Sequence, residues 1–388
     1  MKLFSELVVV ELAGSAAGAW AGKLFADYGA RVIKVEPICG DPQRALGESW
    51  GDTGTHFTYL NTGKQSVALD TEAAPGRALL EKLLGSADVS IESASPGPLE
   101  PVTLSMGLPL LVKVYATPFG LTGPYAGYRS TPFTDYAAGG HMYLSGEPDR
   151  EPLQGAGRQA EYAAGTHAFI GAMAAIAARE ATGRGQTVDV SHMETMASLH
   201  QWTSVRYSHG GVVQRRVGNR YDSTHPITIY PCKDGYVAVS AAAELQAERL
   251  MAVAGLSHLL KDKRFASGVA RLHNWEAFDA ELLPWLMAHT CEDIVTLCQE
   301  ARVPVAGSPS MLELLRDRHL AVRDFWATVE GGDALVIPGP PFRFSGHAWT
   351  SGRAPAKGES TGSVLSSLGV TELAALRQAR LISEPGYD

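Results

Sequence analysis

The sequence predicts an α/β protein in which a large domain with a mostly parallel sheet is joined to a smaller α+β domain. Short apolar runs alternate with helical stretches through the first half of the chain, which is typical of a parallel sheet covered on both faces. After about residue 205 the sequence pattern changes to runs of alternating apolar and polar residues, followed by amphipathic helices. The length of 388 residues also exceeds what one hydrophobic core usually supports.

The opening of the chain reads as a strand, a helix and a second strand. Residues 7–12 (LVVVEL) form a continuous apolar run, residues 19–28 suit a helix that Gly29 ends, and residues 31–36 (RVIKVE) return as a strand. Three further strands and a helix follow in the same alternation: SVALD (66–70), RALLEKLLG (77–85), ADVSIE (87–92) and LPLLVKVYA (108–116). This order predicts βαβ units and parallel pairing.

The middle of the chain contains the longest predicted helix. Residues 163–180 (AAGTHAFIGAMAAIAARE) are rich in small side chains that permit close packing, TGRGQ ends the helix, and TVDVS at 187–191 reads as a strand. Farther on, two alternating runs surround Lys233-Asp234-Gly235 and predict a hairpin. The irregular Pro- and Gly-rich C-terminal segment is expected to cross back over the first domain.

Composition argues against several classes of protein. A net charge of −8 and a pI near 5.9, without basic clusters, disfavour nucleic-acid binding. No stretch reaches the apolar length of a membrane-spanning helix, so we expect a cytoplasmic protein. The cysteines lack the spacing of a zinc site or a disulfide framework, so we expect no metal and reduced thiols. They are Cys39, Cys232, Cys291 and Cys298.

Three familiar motifs fail on their context. Residues 155–160 (GAGRQA) match a GxGxxA dinucleotide fingerprint, but a loop-like segment precedes them where the fingerprint needs a strand, so NAD is not expected. Residues 47–51 (GESWG) match GxSxG without a preceding strand or recognisable Asp and His partners. Gly22-Lys23 lacks the rest of a P-loop.

Several longer segments together carry a family resemblance. The opening LVVVELAGSAAGAWAGKLFADYGARVIKVEPICGDPQR is followed by YLNTGKQSVALD, FGLTGPYA, ATGRGQTVDVS, RRVGNRYDSTHP, YPCKDGYVAVS and APAKGEST. In order and spacing these resemble the family III CoA-transferases, named after carnitine dehydratase and bile-acid-inducible proteins and including formyl-CoA transferases and α-methylacyl-CoA racemases. The resemblance implies a Rossmann-like large domain from residues 1–204 and 325–388, a small domain from 205–324, and an interlocked homodimer.

The resemblance also points to one carboxylate. Transferases of this family have a catalytic aspartate at the start of the long helix, and the matching position here is Glu161. There it would act as a nucleophile that attacks an acyl thioester and passes CoA to a carboxylate acceptor through covalent intermediates. Two alternatives stay open. Glu161 is a general base in an isomerase, racemase or lyase, acting on a thioester or another carbonyl compound, or the chain is a non-catalytic homologue.

The loop before Glu161 departs from the racemase pattern. Racemases of the family pair their acid with a histidine whose place is held here by Thr131, so a two-base racemase is disfavoured. The loop expected over the thioester comprises Thr131, Gly139, Gly140 and His141. His141 and His167 are expected to be packed or solvated rather than catalytic partners, and Asp135 is expected to cap a loop.

The resemblance further implies contacts to CoA, as either free CoA or an acyl-CoA substrate. The implied set is Ser15, Ala16, Ala17, Leu69, Ser93, Ala94 and Arg129. Basic side chains that the family uses for the nucleotide are replaced here by Pro37, Glu72 and Pro101, which predicts weakened phosphate binding. Candidates to compensate are Lys34, Arg44 and Lys64.

Overall fold

The computed structural model describes residues 3–93, 101–329, 334–349 and 352–386. They divide into two compact units. The first lies within Met1–Met142, Gln154–Gly210 and Ala321–Asp388, and the second comprises Tyr143–Leu153 and Gly211–Leu320.

The elements up to residue 210 alternate between strands and helices. In chain order they are β1 (Val8–Ala13), α1 (Ala16–Asp27), β2 (Arg31–Glu36), β3 (Ser49–Trp50), β4 (Thr53–Gly54), α2 (Thr55–Asn61), β5 (Gln65–Leu69), α3 (Ala74–Leu84), β6 (Val89–Ser93), β7 (Val112–Thr117), α4 (Pro132–Ala138), α5 (His141–Leu144), α6 (Gln159–Thr182), β8 (Thr187–Ser191), α7 (His192–Ser198) and α8 (Gln201–Gly210).

The remaining elements begin with a hairpin. They are β9 (Ile227–Pro231), β10 (Tyr236–Ser240), α9 (Glu244–Val253), α10 (Gly268–His273), α11 (Trp275–Ala288), α12 (Cys291–Glu300), β11 (Val305–Gly307), α13 (Met311–Leu315), α14 (Arg318–Val322), β12 (Trp326–Val329), β13 (Leu335–Pro338), α15 (Thr361–Ser367), α16 (Leu373–Gln378) and β14 (Ile382–Ser383). None of the helices in the described segments combines the length and apolar composition needed to cross a bilayer.

The central sheet of the first unit has seven strands in the order β14-β5-β2-β1-β6-β7-β8. Every neighbouring pair is parallel except β14 with β5. The prediction of a mostly parallel sheet is therefore confirmed. The antiparallel edge strand β14 comes from the C-terminal segment, which joins the sheet beside Leu69 and Ala68.

Alternate residues of the central strands feed two separate apolar cores. On β1, Val9 packs in the core that contains Phe25 of α1, whereas Val10 packs in the core that contains Leu80 of α3 and Leu365 of α15. All five side chains are inaccessible to solvent. A strand buried on both faces reads as the continuous apolar run that identified it in the sequence.

Helices α1 and α6 approach closely because one of their contact residues is glycine. A Cβ atom on Gly165 would lie 2.3 Å from the carbonyl oxygen of Ala17 and 3.0 Å from the Trp20 ring. Helix α6 begins at Gln159, four residues before the predicted start, and ends at Gly183, which has a φ of 65°. This contact fixes the first turn of α6 beside the start of α1.

The second unit has its own sheet and core. Strands β9 and β10 pair antiparallel around residues 232–235, which confirms the predicted hairpin, and β11 joins on the other side of β10. Val237, Leu250, Phe278, Leu282 and Ile294 belong to the core between this sheet and its helices.

Candidate functional site

Glu161 lies in the first turn of α6 and is 4% exposed. Its Oε1 accepts a hydrogen bond from the backbone N–H of Ala16, the first residue of α1, at 3.2 Å. The carboxylate therefore lies close to the N-terminal ends of two helices, whose free N–H groups and dipoles favour an anion.

Arg158 holds the other carboxylate oxygen. Its Nη1 donates to Oε2 of Glu161 at 2.9 Å, and the arginine side chain is 34% exposed. Burial and the neighbouring carboxylate raise the pKa of Tyr162 to about 12, so its hydroxyl stays neutral. Burial and the Arg158 charge lower the pKa of His56. The charged groups at Glu161 are thus one carboxylate and one guanidinium.

Glu161 borders a cavity of about 270 Å³ within the first unit. Its lining comes from the loop after β1, a 3-10 turn at Pro42–Ala45, the end of β7, α4 and its preceding residues, the start of α6 and the start of α7. The lining residues are Gly14, Ser15, Pro42, Gln43, Leu46, Pro118, Ser130, Thr131, Pro132, Asp135, Arg158, Glu161 and His192.

A second acidic group faces this cavity together with a histidine. Asp135 is buried on α4, and its Oδ2 lies 2.8 Å from Nδ1 of His192, which is buried at the start of α7. The hydroxyl of Ser130 donates to the other oxygen of Asp135. The prediction that Asp135 caps a loop is wrong, because Thr131 provides the capping box of α4 and Asp135 instead binds His192 and Ser130.

His192 and Gln43 are not among the site residues predicted from the sequence. A signal for His192 was available, because it directly follows the predicted strand TVDVS, and the carboxyl ends of parallel strands are where α/β proteins bind ligands. Gln43 had no comparable signal, since it lies in an irregular segment.

The predicted CoA contacts fall into groups. Ser15 lines the cavity, and its backbone N–H donates to the hydroxyl of Ser93 at 3.2 Å, while Ala16 and Ala17 are buried in the first turn of α1. Leu69 is buried at the end of β5 and pairs with Ile382, away from the cavity lining. Ala94 lies outside the described residues, and Arg129 is exposed.

Only part of the loop predicted to cover the thioester lines the cavity. Thr131 lines the cavity, whereas Gly139, Gly140 and His141 do not. A Cβ atom on Gly139 would lie 2.2 Å from Cβ of Met196, so this glycine permits α4 to contact α7. His141 is packed, with Nε2 3.0 Å from the carbonyl of Met196, and His167 is exposed.

The basic residues proposed to replace lost phosphate contacts are engaged elsewhere. Lys34 and Lys64 are buried against opposite oxygens of Glu11, at 3.1 Å and 2.6 Å. Arg44 binds Glu36 with two nitrogens. The idea that Lys34 and Lys64 compensate is therefore wrong, since neither side chain reaches the surface. Pro37 and Glu72 are exposed positions without a positive charge.

The loop before α6 confirms that the GxGxxA string is not a dinucleotide fingerprint. Gly155 lies in an irregular stretch and Gly157 in the turn that leads directly into α6, so no strand precedes them. A Cβ atom on Gly155 would collide with the Tyr136 ring at 2.7 Å. Its lack of a side chain therefore serves packing.

Comparisons with known proteins agree on one family. The family model described as CoA-transferase family III matches residues 4–361. The succinate–glutarate CoA-transferase of Agrobacterium fabrum is 30% identical over 353 residues, covering 86% of this chain and 87% of that protein. The succinyl-CoA–D-citramalate CoA-transferase of Chloroflexus aurantiacus is 31% identical over 394 residues, covering 97% of each. A CAIB/BAIF family protein from Brucella suis has a similar structure, with a TM-score of 0.84, 29% identity and coverage of 93% and 98%.

Proposed function

Because the chain belongs to CoA-transferase family III and is an enzyme that transfers CoA, we propose that Glu161 is its nucleophile and that its acid substrates are dicarboxylates. The observation that carries the first part is the position of the carboxylate. It is buried, held by Ala16 and Arg158, and borders the cavity of about 270 Å³. The similar enzymes named for succinate, glutarate and citramalate support the second part.

The reaction proceeds without a net proton transfer. A Glu161 oxygen attacks the thioester carbonyl, the C–S bond breaks, and CoA leaves as a thiolate from a mixed anhydride. The thiolate attacks the glutamyl carbonyl, which releases the donor acid as a carboxylate and leaves a glutamyl-CoA thioester. The acceptor carboxylate attacks that thioester, its C–S bond breaks, and CoA leaves again as a thiolate from a second anhydride. The thiolate then attacks the acceptor's carbonyl, forming the new acyl-CoA and regenerating Glu161.

The surroundings of Glu161 suit these steps. The Ala16 N–H at the start of α1 and the Arg158 guanidinium are donors that stabilise oxygen as its negative charge shifts between attack and release. Arg158 is partly exposed, so its guanidinium can reach solvent when Glu161 loses its charge in the anhydride. The nucleophile thus keeps a fixed backbone contact and a movable counter-ion.

Binding of the nucleotide part of CoA rests on fewer charges than the family pattern implies. Arg129 is the proposed phosphate contact, because it is exposed and basic, whereas Pro37 and Glu72 offer no positive charge. The backbone at Ser15, Ala16 and Ala17 and the side chain of Ser93 lie around the start of α1, where N–H groups suit an anionic or carbonyl ligand.

We also propose the interlocked homodimer, with a large domain of residues 1–204 and 325–388 and a small domain of residues 205–324. Helix α8 supports a partner, because it has no buried residue and leaves large apolar side chains in solvent. Trp202, Val205 and Tyr207 are 62%, 58% and 61% exposed. Exposed apolar groups concentrated on one helix are typical of an interaction surface.

The nucleophile is tested by trapping. Incubation with succinyl-CoA and no added acceptor should leave a glutamyl adduct on the peptide that contains RQAEYAAGTH, and hydroxylamine should convert it to a hydroxamate visible by mass spectrometry. Glu161→Gln is the matched control, since it keeps the shape and removes the nucleophile. It should show no adduct and lose at least about 10⁴-fold in kcat.

Two outcomes would contradict this assignment. An adduct on another peptide would move the nucleophile elsewhere. Turnover without any adduct, together with loss of activity in Glu161→Gln, would favour the alternative in which Glu161 is a general base, and exchange of a substrate α-hydrogen in D₂O would then support that alternative.

A further inference from the structure

Three buried side chains in the cavity carry polar atoms without a hydrogen-bond partner among the described residues. They are Oγ of Ser15, both amide atoms of Gln43, and Nε2 of His192. The residues are 7%, 3% and 2% exposed. Leaving buried polar groups unsatisfied is unfavourable for folding, so three of them at one cavity point to a polar ligand.

The ring of His192 is held in one orientation by a contact at Nδ1. Its Nδ1 lies 2.8 Å from Oδ2 of Asp135, and Ser130 donates to the other oxygen of that carboxylate. Because an ionised carboxylate only accepts, Nδ1 is the protonated nitrogen. Nε2 is then the ring atom left for the cavity, and Asp135 compensates the positive charge when the ring is fully protonated.

Gln43 is held at its backbone and not at its amide. Its N–H donates to Oδ1 of Asp41 at 2.8 Å, and Asp41 in turn pairs with the buried Lys34 at 2.6 Å. These contacts fix the turn at Pro42–Ala45 at the edge of the cavity. The side-chain amide therefore lines the cavity without a structural hydrogen bond of its own.

The Ser15 side chain also lacks a hydrogen-bond partner among the described residues, although its position in the helix would usually provide one. It occupies the N-cap of α1, where a serine oxygen usually accepts a hydrogen bond from the helix, yet its side chain makes no such bond. The Ala16 N–H at that end donates to Glu161. The Ser15 hydroxyl is left as a donor within the cavity that Glu161 borders.

We infer that Ser15, Gln43 and His192 form a subsite for the second carboxylate of a dicarboxylic acid, the one that does not react. The Ser15 hydroxyl and the Gln43 Nε2 group can donate, and Nε2 of His192 donates when the imidazole carries both protons; a carboxylate is an acceptor for all three. The inference rests on the proposed function, since the reacting carboxylate must reach Glu161. An acid with a methyl group at that end would leave the three donors buried and unpaired, so the subsite selects against it.

The charges of the cavity agree with this assignment. Its ionised lining groups are Arg158, paired with Glu161, and Asp135, paired with His192. Both protein carboxylates of the lining are thus already paired, Glu161 with Arg158 and Asp135 with Nδ1 of His192, so neither is left as an unpaired negative charge facing the substrate.

The test compares acids that differ only at the far end. Exchange of labelled succinate into succinyl-CoA is measured beside exchange of labelled butyrate into butyryl-CoA, so that donor and acceptor stay matched. The wild-type enzyme should prefer succinate in kcat/KM. Each of Ser15→Ala, Gln43→Leu and His192→Asn should lower that preference by about 10- to 100-fold, through a loss on succinate alone.

The variants are chosen to separate recognition from folding. Asparagine at position 192 keeps a donor for Asp135 and removes Nε2, whereas His192→Gln carries an amide farther out and should recover part of the preference. Gln43→Leu removes an amide that has no partner to lose. His225→Asn is the matched control, because His225 lies 2.8 Å from Asp279 in the second unit and should leave the preference unchanged.

The outcomes distinguish this inference from the proposed function. Normal exchange of both acids with an unchanged ratio in the folded Ser15, Gln43 and His192 variants would overturn the subsite and leave the transferase assignment intact. A wild-type preference for butyrate would overturn it as well. Failure of the wild-type enzyme to exchange either acid would count against the proposed dicarboxylate function itself.

Discussion

Two groups of buried polar residues in the first unit differ in how completely they are satisfied. In the first, Glu11 binds Lys34 and Lys64, and Lys64 also donates to the carbonyl of Ala19 at 2.8 Å and to Asn61 at 3.0 Å. In the second, at the cavity, Ser15 and Gln43 have side-chain atoms without partners among the described residues. The protein itself therefore satisfies the first group, whereas the second retains hydrogen-bonding capacity for the ligand inferred above.

The two groups also differ in how the protein stabilises their charged side chains. Burial opposes the positive charge of Lys34, but Glu11, Asp41 and Glu36 together raise its pKa, so the protein itself stabilises the ion. Glu161, the proposed nucleophile, instead borders a cavity, and its counter-ion Arg158 is partly exposed. Burial is thus common to both groups, and the cavity group differs in that polar atoms beside Glu161 have no partner among the described residues.

The largest expected effect on stability comes from breaking the satisfied group. Glu11→Gln leaves Lys64 buried without its ion-pair partner and should lower the free energy of unfolding by about 3–5 kcal/mol. Urea unfolding measures the loss, and kcat per folded molecule should stay near the wild-type value. Glu161→Gln is the same substitution at the cavity and should change stability by less than about 1 kcal/mol, because the freed Arg158 reaches solvent. Equal losses in the two variants would erase the distinction.

A smaller effect is expected from shortening Glu161, the proposed nucleophile. Glu161→Asp withdraws the carboxylate by about one bond from the Ala16 N–H and from Arg158, and should lower kcat by about a hundredfold. Steady-state kinetics with succinyl-CoA and glutarate provide the measurement. Activity equal to or above that of the wild-type enzyme would show that these two contacts do not set the reactive position and that the cavity still suits aspartate.

The smallest effect is a pH dependence of the free energy of unfolding, which comes from Lys64 in the satisfied group of Glu11, Lys34 and Lys64. Burial lowers the pKa of Lys64 from 10.5 to about 8, although Glu11 opposes the shift. Between those values the unfolded chain binds one more proton than the folded one, so stability should rise by up to about 1.4 kcal/mol per pH unit. Unfolding at about pH 8 and about pH 9.5 should show this rise in the wild-type protein and not in Lys64→Met. Parallel changes in both proteins would assign the proton to another group.

Much of the fold could be predicted because its signals are local. The continuous apolar run of β1 follows from burial of Val9 and Val10 in opposite cores, and the hairpin of β9 and β10 follows from alternation around a short turn. The start of α6 was harder to place. Its first turn combines Gln159 and Glu161 with few apolar residues, so the pattern became visible only farther along the helix.

The site was less predictable because its contacts join distant parts of the chain. Glu161 was identified through the family resemblance, while its contact to Ala16 spans 145 positions. His192 was missed since its partner Asp135 lies 57 positions away, on a helix packed against α7. Lys34 and Lys64 were misassigned to the surface because Glu11 lies 23 and 53 positions away on a neighbouring element. Such pairings exist only after the sheet has formed.

The glycine contact between α1 and α6 has a consequence for the energetics of turnover. Gly165 brings the two helix backbones together, and Glu161 lies one helical turn before it, so the core of the unit fixes the backbone position of this proposed nucleophile. The conformational entropy of placing that acid is therefore lost once, when the chain folds, and not again in each catalytic cycle. Ordering during the reaction then falls on the small molecules that enter the cavity.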